Sequence, residues 1–137
     1  MKERINDKIE EIEGFLNELL EILPLNIKNY IQDFKTKAAC ERYFEKIIEA
    51  IVDLAFLIIK LKKFEIPEGD KETFDILAKN NIIPPVLAEK FKEAKGMRNI
   101  LAHKYGDVDN ELVFHAITEE MERDAKEFIK TVKKELK

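Results

Sequence analysis

Cysteine is nearly absent from this chain. Cys40 stands alone among 137 residues, which excludes an intrachain disulfide framework, and with only two histidines no Cys/His zinc cluster can be assembled. Four glycines and four prolines leave few places for the backbone to reverse, and no segment alternates polar and apolar residues with period two for long enough to make a strand. Tryptophan is missing altogether. Long apolar runs are missing too: the longest, residues 50–59, contains Asp53 and falls short of the roughly 20 residues that span a bilayer, so no membrane association is expected. The chain opens without the charged-then-apolar segment of a secretory leader, and the cytoplasm is the expected compartment.

What remains is rich in helix-forming material. Hydrophobic residues make up 45% and charged residues 38% of the chain, enough to build one core without metal or cross-links. From Glu3 to Leu23 the apolar positions Ile5, Ile9, Ile12, Leu16, Leu19 and Leu23 recur every three or four residues, and Pro24 ends the pattern. Residues 26–34 can form a short helix with Ile27, Tyr30, Ile31 and Phe34 on one face. Thr36 is the candidate cap of a long third segment running to about Lys63, whose stripe is Cys40, Phe44, Ile47, Ile51, Leu54 and Ile58. Further apolar residues widen that face, as befits a central helix, and Cys40 within it reads as a buried thiol.

After the break at Pro67-Glu68-Gly69, Asp70 is the candidate cap of a short helix carrying Phe74, Leu77 and Ala78, closed by Asn80-Asn81. Pro84 and Pro85 suit the first turn of the next helix. Asp109 can cap the last one, with Phe114, Ile117, Met121, Ala125, Phe128 and Val132 on its stripe. The expectation is an all-α fold: an antiparallel bundle of four main helices plus one or two short ones, in a single domain over residues 1–137.

The chemistry gathers at Arg98-Asn99-Ile100-Leu101-Ala102-His103-Lys104-Tyr105. On a helix from Pro85 to Tyr105 the apolar stripe is Leu87, Phe91, Ala94, Leu101 and Tyr105, and Arg98 occupies the missing place. A guanidinium there needs a carboxylate partner or an anionic ligand, because an unpaired buried charge costs several kcal/mol or more. Asp53, Glu49 and Glu41 on the central helix are the candidate partners. Arginine offers a fork of donors matched to phosphate oxygens, and histidine can exchange a proton near neutral pH. Asn99 and His103, four apart, share a face and could hydrogen-bond. Arg98 and His103 diverge by roughly 140° on an ideal helix. One straight helix therefore cannot aim both at one phosphate, unless it loosens toward Gly106 or a second copy completes the site.

Each of these residues also has an ordinary reading: Arg98 a structural ion pair, His103 a helix-ending histidine on backbone carbonyls, Tyr105 the packed end of the row, His115 a surface residue. The formal charge of -4 argues against a general nucleic-acid coat. The distribution is uneven, however. Residues 1–22 carry three basic against seven acidic side chains, while residues 90–104 carry Lys90, Lys92, Lys95, Arg98 and Lys104 against Glu93 alone. That local positive field is either centred on the motif or a solvated helix face.

The spacing Arg98-x4-His103-x-Tyr105, with Asn99 directly after the arginine, resembles the signature of the HEPN superfamily and specifically its HepT-like toxin branch. Four further blocks carry the likeness: Ala38-Ala39-Cys40-Glu41-Arg42-Tyr43, Phe74-Asp75-Ile76-Leu77, Ile83-Pro84-Pro85, and Tyr105-Gly106-Asp107-Val108-Asp109. The resemblance implies a homodimeric, metal-independent endoribonuclease without cofactor. In it Arg98 and His103 would be catalytic and Asn99 and Tyr105 supporting. It also implies a cognate minimal nucleotidyltransferase antitoxin that transfers AMP to Tyr105. The alternative it leaves open is a non-catalytic nucleotide-binding or partner subunit of that nucleotidyltransferase.

Overall fold

A computed structural model describes residues 1–103 and 108–137. Its elements are α1 (Lys2–Ile22), α2 (Ile27–Gln32), α3 (Phe34–Lys62), α4 (Asp70–Lys79), α5 (Pro85–His103), α6 (Asn110–His115), a π-helical stretch (Ala116–Met121) and α7 (Glu122–Glu135). Backbone angles stay helical at the junctions of the last three, so they form one rod. With that rod counted once, α1, α3 and α5 complete the four main helices, and α2 and α4 are the short ones; no strand occurs among the described residues.

The central helix is α3. It packs against α1, α4 and α5, and its 29 residues bury Cys40, Phe44, Ile47, Ile51, Leu54 and Ile58 along the expected stripe. α1 lies antiparallel to it: Lys8, near one end of α1, reaches Asp53, and Tyr43 donates to Glu18, near the other, at 2.7 Å. Ile5, Ile9, Ile12, Leu16 and Leu19 of α1 are buried as their period requires. α4 and α5 form a hairpin over α3, where Phe91 meets Phe74 on one side and Phe128 of α7 on the other, ring centroids 5.1 and 5.4 Å apart. The buried apolar residues form one core cluster.

Local chemistry departs from expectation at three points. Asp33, not Thr36, caps α3: its carboxylate accepts from Thr36 N at 3.2 Å and from Thr36 Oγ1 at 2.8 Å, so the threonine serves as donor three residues in. Gly69 precedes α4, and Asp70 is its first helical residue, engaged with Lys95 at 3.0 Å. In α2 only Tyr30 is fully buried and Ile31 is 46% exposed, because six residues offer one narrow contact line to α3 and α6; Phe34, expected on the same face, instead opens α3 and is 73% exposed. Asp109 caps the last rod, accepting from Glu111 N and Leu112 N.

Candidate functional site

α5 carries the motif. Pro84 offers its carbonyl to Ala88 N at 3.1 Å and Pro85 occupies the first helical position, where a missing N–H costs little. Leu87, Phe91 and Leu101 are buried on the inner row, with Ala94 partly buried among them. Arg98 completes that row, its side chain only 19% exposed. The position is electrostatically tenable because Glu49 of α3 accepts from Arg98 Nη2. Of the three acids proposed from the sequence, the fold selects Glu49. Asp53 lies farther along α3, 61% exposed and facing Lys8 of α1 at 3.5 Å, and Glu41 is paired with Lys37 of its own helix at 2.8 Å.

The arginine is not saturated. Nη1 approaches Asn99 Oδ1 at 3.4 Å, while Nε is buried with no hydrogen-bond partner among the described residues. A guanidinium with an unused buried donor keeps capacity for a further acceptor. Asn99 is thus tied to Arg98, its chain neighbour. His103 closes the last turn of α5 and is exposed. Arg98 faces inward against α3 and His103 outward, as the helical period demands. Tyr105, with Lys104, Gly106 and Asp107, lies outside the described residues.

The lysines around the motif are neither a free cationic patch nor a purely solvated face. Lys90 pairs with Glu120 at 2.9 Å, Lys92 with Asp75 at 3.1 Å, and Lys95, 9% exposed, with Asp70 at 3.0 Å. Acids from α4 and the π stretch therefore offset much of the local positive charge, something a one-dimensional count could not show. Glu120 holds the Lys90 ammonium above its ordinary pKa, and Asp75 does the same for Lys92. Burial pushes the Cys40 thiol up to about 11, with Glu41 adding to the shift, so the cysteine is inert in the folded state. His115 is exposed, 4.0 Å from Glu120. No group of three or more metal-ligating side chains converges among the described residues, and none of their helices is long and apolar enough to cross a membrane.

An all-α bundle whose motif helix presents an acid-held arginine and, five residues on, an outward histidine defines a class of HEPN-like helical proteins. The family model described as ribonuclease HepT-like matches residues 5–132, and the chain belongs to that family. It is 31% identical over 104 residues to the mRNA nuclease HepT of Shewanella oneidensis, covering 76% of this chain and 77% of that protein. It is 30% identical over 114 residues to the tRNA nuclease HepT of Aphanizomenon flos-aquae, covering 83% and 78% respectively. Among solved structures, the tri-AMPylated HEPN toxin of Shewanella oneidensis in complex with MNT antitoxin superposes with a TM-score of 0.90 at 27% identity, over 98% of this chain and 99% of that one.

Proposed function

We propose that this protein is a cytoplasmic, metal-independent endoribonuclease toxin, active as a homodimer and silenced when a cognate minimal nucleotidyltransferase transfers AMP to Tyr105. The carrying observation is Arg98: a cation seated in an apolar row, oriented by Glu49, with a buried Nε–H still to be satisfied. Family membership supports the activity, and the antitoxin complex of the Shewanella toxin supports the pairing.

In this reading the ribose 2′-OH attacks the adjacent phosphorus, the bond to the leaving 5′ oxygen breaks, and a cyclic phosphate forms. His103 moves the proton and Arg98 stabilises the charge that builds on the pentacoordinate phosphate. Glu49 keeps the guanidinium from swinging, so little reorganisation is needed at the moment of reaction. The inward arginine and outward histidine of one helix cannot meet on one scissile bond. Two α5 helices facing across a two-fold axis can supply both, which is why a dimer is part of the proposal. AMP on Tyr105 would bring phosphate charge beside the anion site and repel RNA.

The test is RNA cleavage in excess chelator. Arg98→Ala and His103→Ala should each lower the rate by at least about 100-fold, the usual contribution of a positioned proton-transfer or charge-stabilising group. Both variants should remain folded dimers. Undiminished cleavage by either would reject its assigned role. A non-catalytic, nucleotide-binding subunit is the second reading, favoured by the same unsaturated guanidinium, which could hold a phosphate without turning it over. Phosphate binding without cleavage by the unmodified chain would establish it.

A further inference from the structure

A cavity of about 260 Å³ lies between α3, α5 and the rod of α6, the π stretch and α7. Its walls are Phe44 and Ile48 of α3, Phe91, Ala94 and Met97 of α5, and Met121 of the π stretch. Ile48 precedes Glu49 and Met97 precedes Arg98, so the cavity and the ion pair arise from neighbouring Cα atoms on the same two helices. The volume is just below the roughly 300–1,000 Å³ of drug-sized ligand sites and gives room for one planar ring system. Aromatic rings and polarisable thioethers are what such a ring packs against.

The polar groups around this apolar slot are mostly acceptors. Glu93, Glu120 and Asp124 line it against His115, 4.0 Å from Glu120, and a single constant cation, Lys90, whose charge Glu120 already meets at 2.9 Å. Asp124 is the deepest, its side chain 11% exposed, with Oδ1 taking Arg123 Nε–H at 3.0 Å. Glu120 and Met121 reach the slot from within the π stretch, whose wider turn re-aims the side chains that follow it; Thr118 Oγ1 bonds Phe114 O there at 2.8 Å. Single π turns recur at functional sites for this reason. An apolar slot with carboxylates at its edge favours a planar ligand whose exocyclic amino group offers N–H donors to them, and disfavours uracil, whose single ring N3–H lies between two carbonyl oxygens that the carboxylates repel.

We infer that this cavity is a nucleobase pocket that accepts a base carrying an exocyclic amino group, adenine, cytosine or guanine, and discriminates against uracil. Resting on the ribonuclease reading, it assigns the pocket to the RNA base whose phosphate sits at Arg98.

The three methionines supply the probe, since Met97 and Met121 line the cavity and Met1 sits at the exposed start of α1. With ¹³C-methyl-labelled methionine in the full chain, AMP, CMP and GMP should move the Met97 and Met121 methyl resonances and leave Met1 in place. UMP at the same concentration should move none of them. No shift, or equal shifts with UMP, overturns the pocket. Fragment sequencing after RNA cleavage gives the second arm: the wild type should cut beside amino-bearing bases. Ala94→Leu, which fills the slot, and Asp124→Asn, which removes its deepest charge, should each lower that preference about tenfold, the discrimination of one good base contact. Circular dichroism checks that each variant is folded, and Asp124→Asn alone decides if the filled one is not. Methyl shifts with an unchanged cleavage pattern make this a free-nucleotide site and overturn the assignment to substrate RNA. A wild type that cuts nothing rejects the ribonuclease reading, while the methyl titration still decides base recognition.

Discussion

Arg98 is the residue whose place in the sequence said most and whose surroundings only the fold could supply. Its position in an apolar row required a partner, and three acids on α3 were candidates; helix packing brought Glu49 to it and turned Asp53 toward α1. His103 was legible as a helix-ending residue, and it closes the last turn of α5. Tyr30 shows the same division in the core. Its spacing marked it as buried, yet nothing in sequence indicates that its hydroxyl finds no hydrogen-bond partner among the described residues, packed against Phe114 with ring centroids 5.0 Å apart. Burial, with Glu41 and Cys40 adding to it, drives the phenol pKa well up, so the hydroxyl stays neutral. Tyr30→Phe should therefore stabilise the protein by about 1 kcal/mol, the desolvation cost of an unmade bond. A denaturant midpoint that falls instead would mean the hydroxyl is satisfied.

Among the elements, the long helices were readable because their apolar positions alternate steps of three and four, and the caps were less so. Thr36 and Asp33 are both good capping residues, three apart, and which one caps depends on where the chain leaves α2. The Asp33 carboxyl is held below its ordinary pKa mainly by its hydrogen bonds to Thr36. A lowered folded-state pKa means this contribution is present above the unfolded value and is lost as pH falls through the folded one. Asp33→Ala should lower the thermal midpoint at pH 7 and reduce the drop on acidification; an unaltered acid limb would show that the cap does not titrate with folding. The π stretch left one trace in the sequence: Ile117 to Met121 to Ala125 takes two successive steps of four, a wider turn than an α-helix keeps. Without a partner helix to locate the seam, that trace reads as ordinary variation.

For the molecule as a whole, the single core cluster implies that reaching Cys40 requires opening the bundle. It is fully buried between helices, and its thiol remains protonated up to about 11. Labelling by a thiol reagent at pH 8 should thus follow the unfolding equilibrium and accelerate with denaturant along the global transition; fast labelling in native buffer would reveal a local opening of α3. Because the folded pKa is raised above the unfolded value of about 9, stability should also decline as pH climbs through that interval. The sequence by itself determined the helical class, the stripes that form the core, the isolation of the thiol and the anomaly at position 98, since each follows from local periodicity and the cost of burying charge. Only the tertiary structure decided which acid meets Arg98, which lysines are neutralised and where the cavity beside the motif opens. Those are contacts between helices distant in the chain, and their relative rotation is set by packing that no single segment encodes.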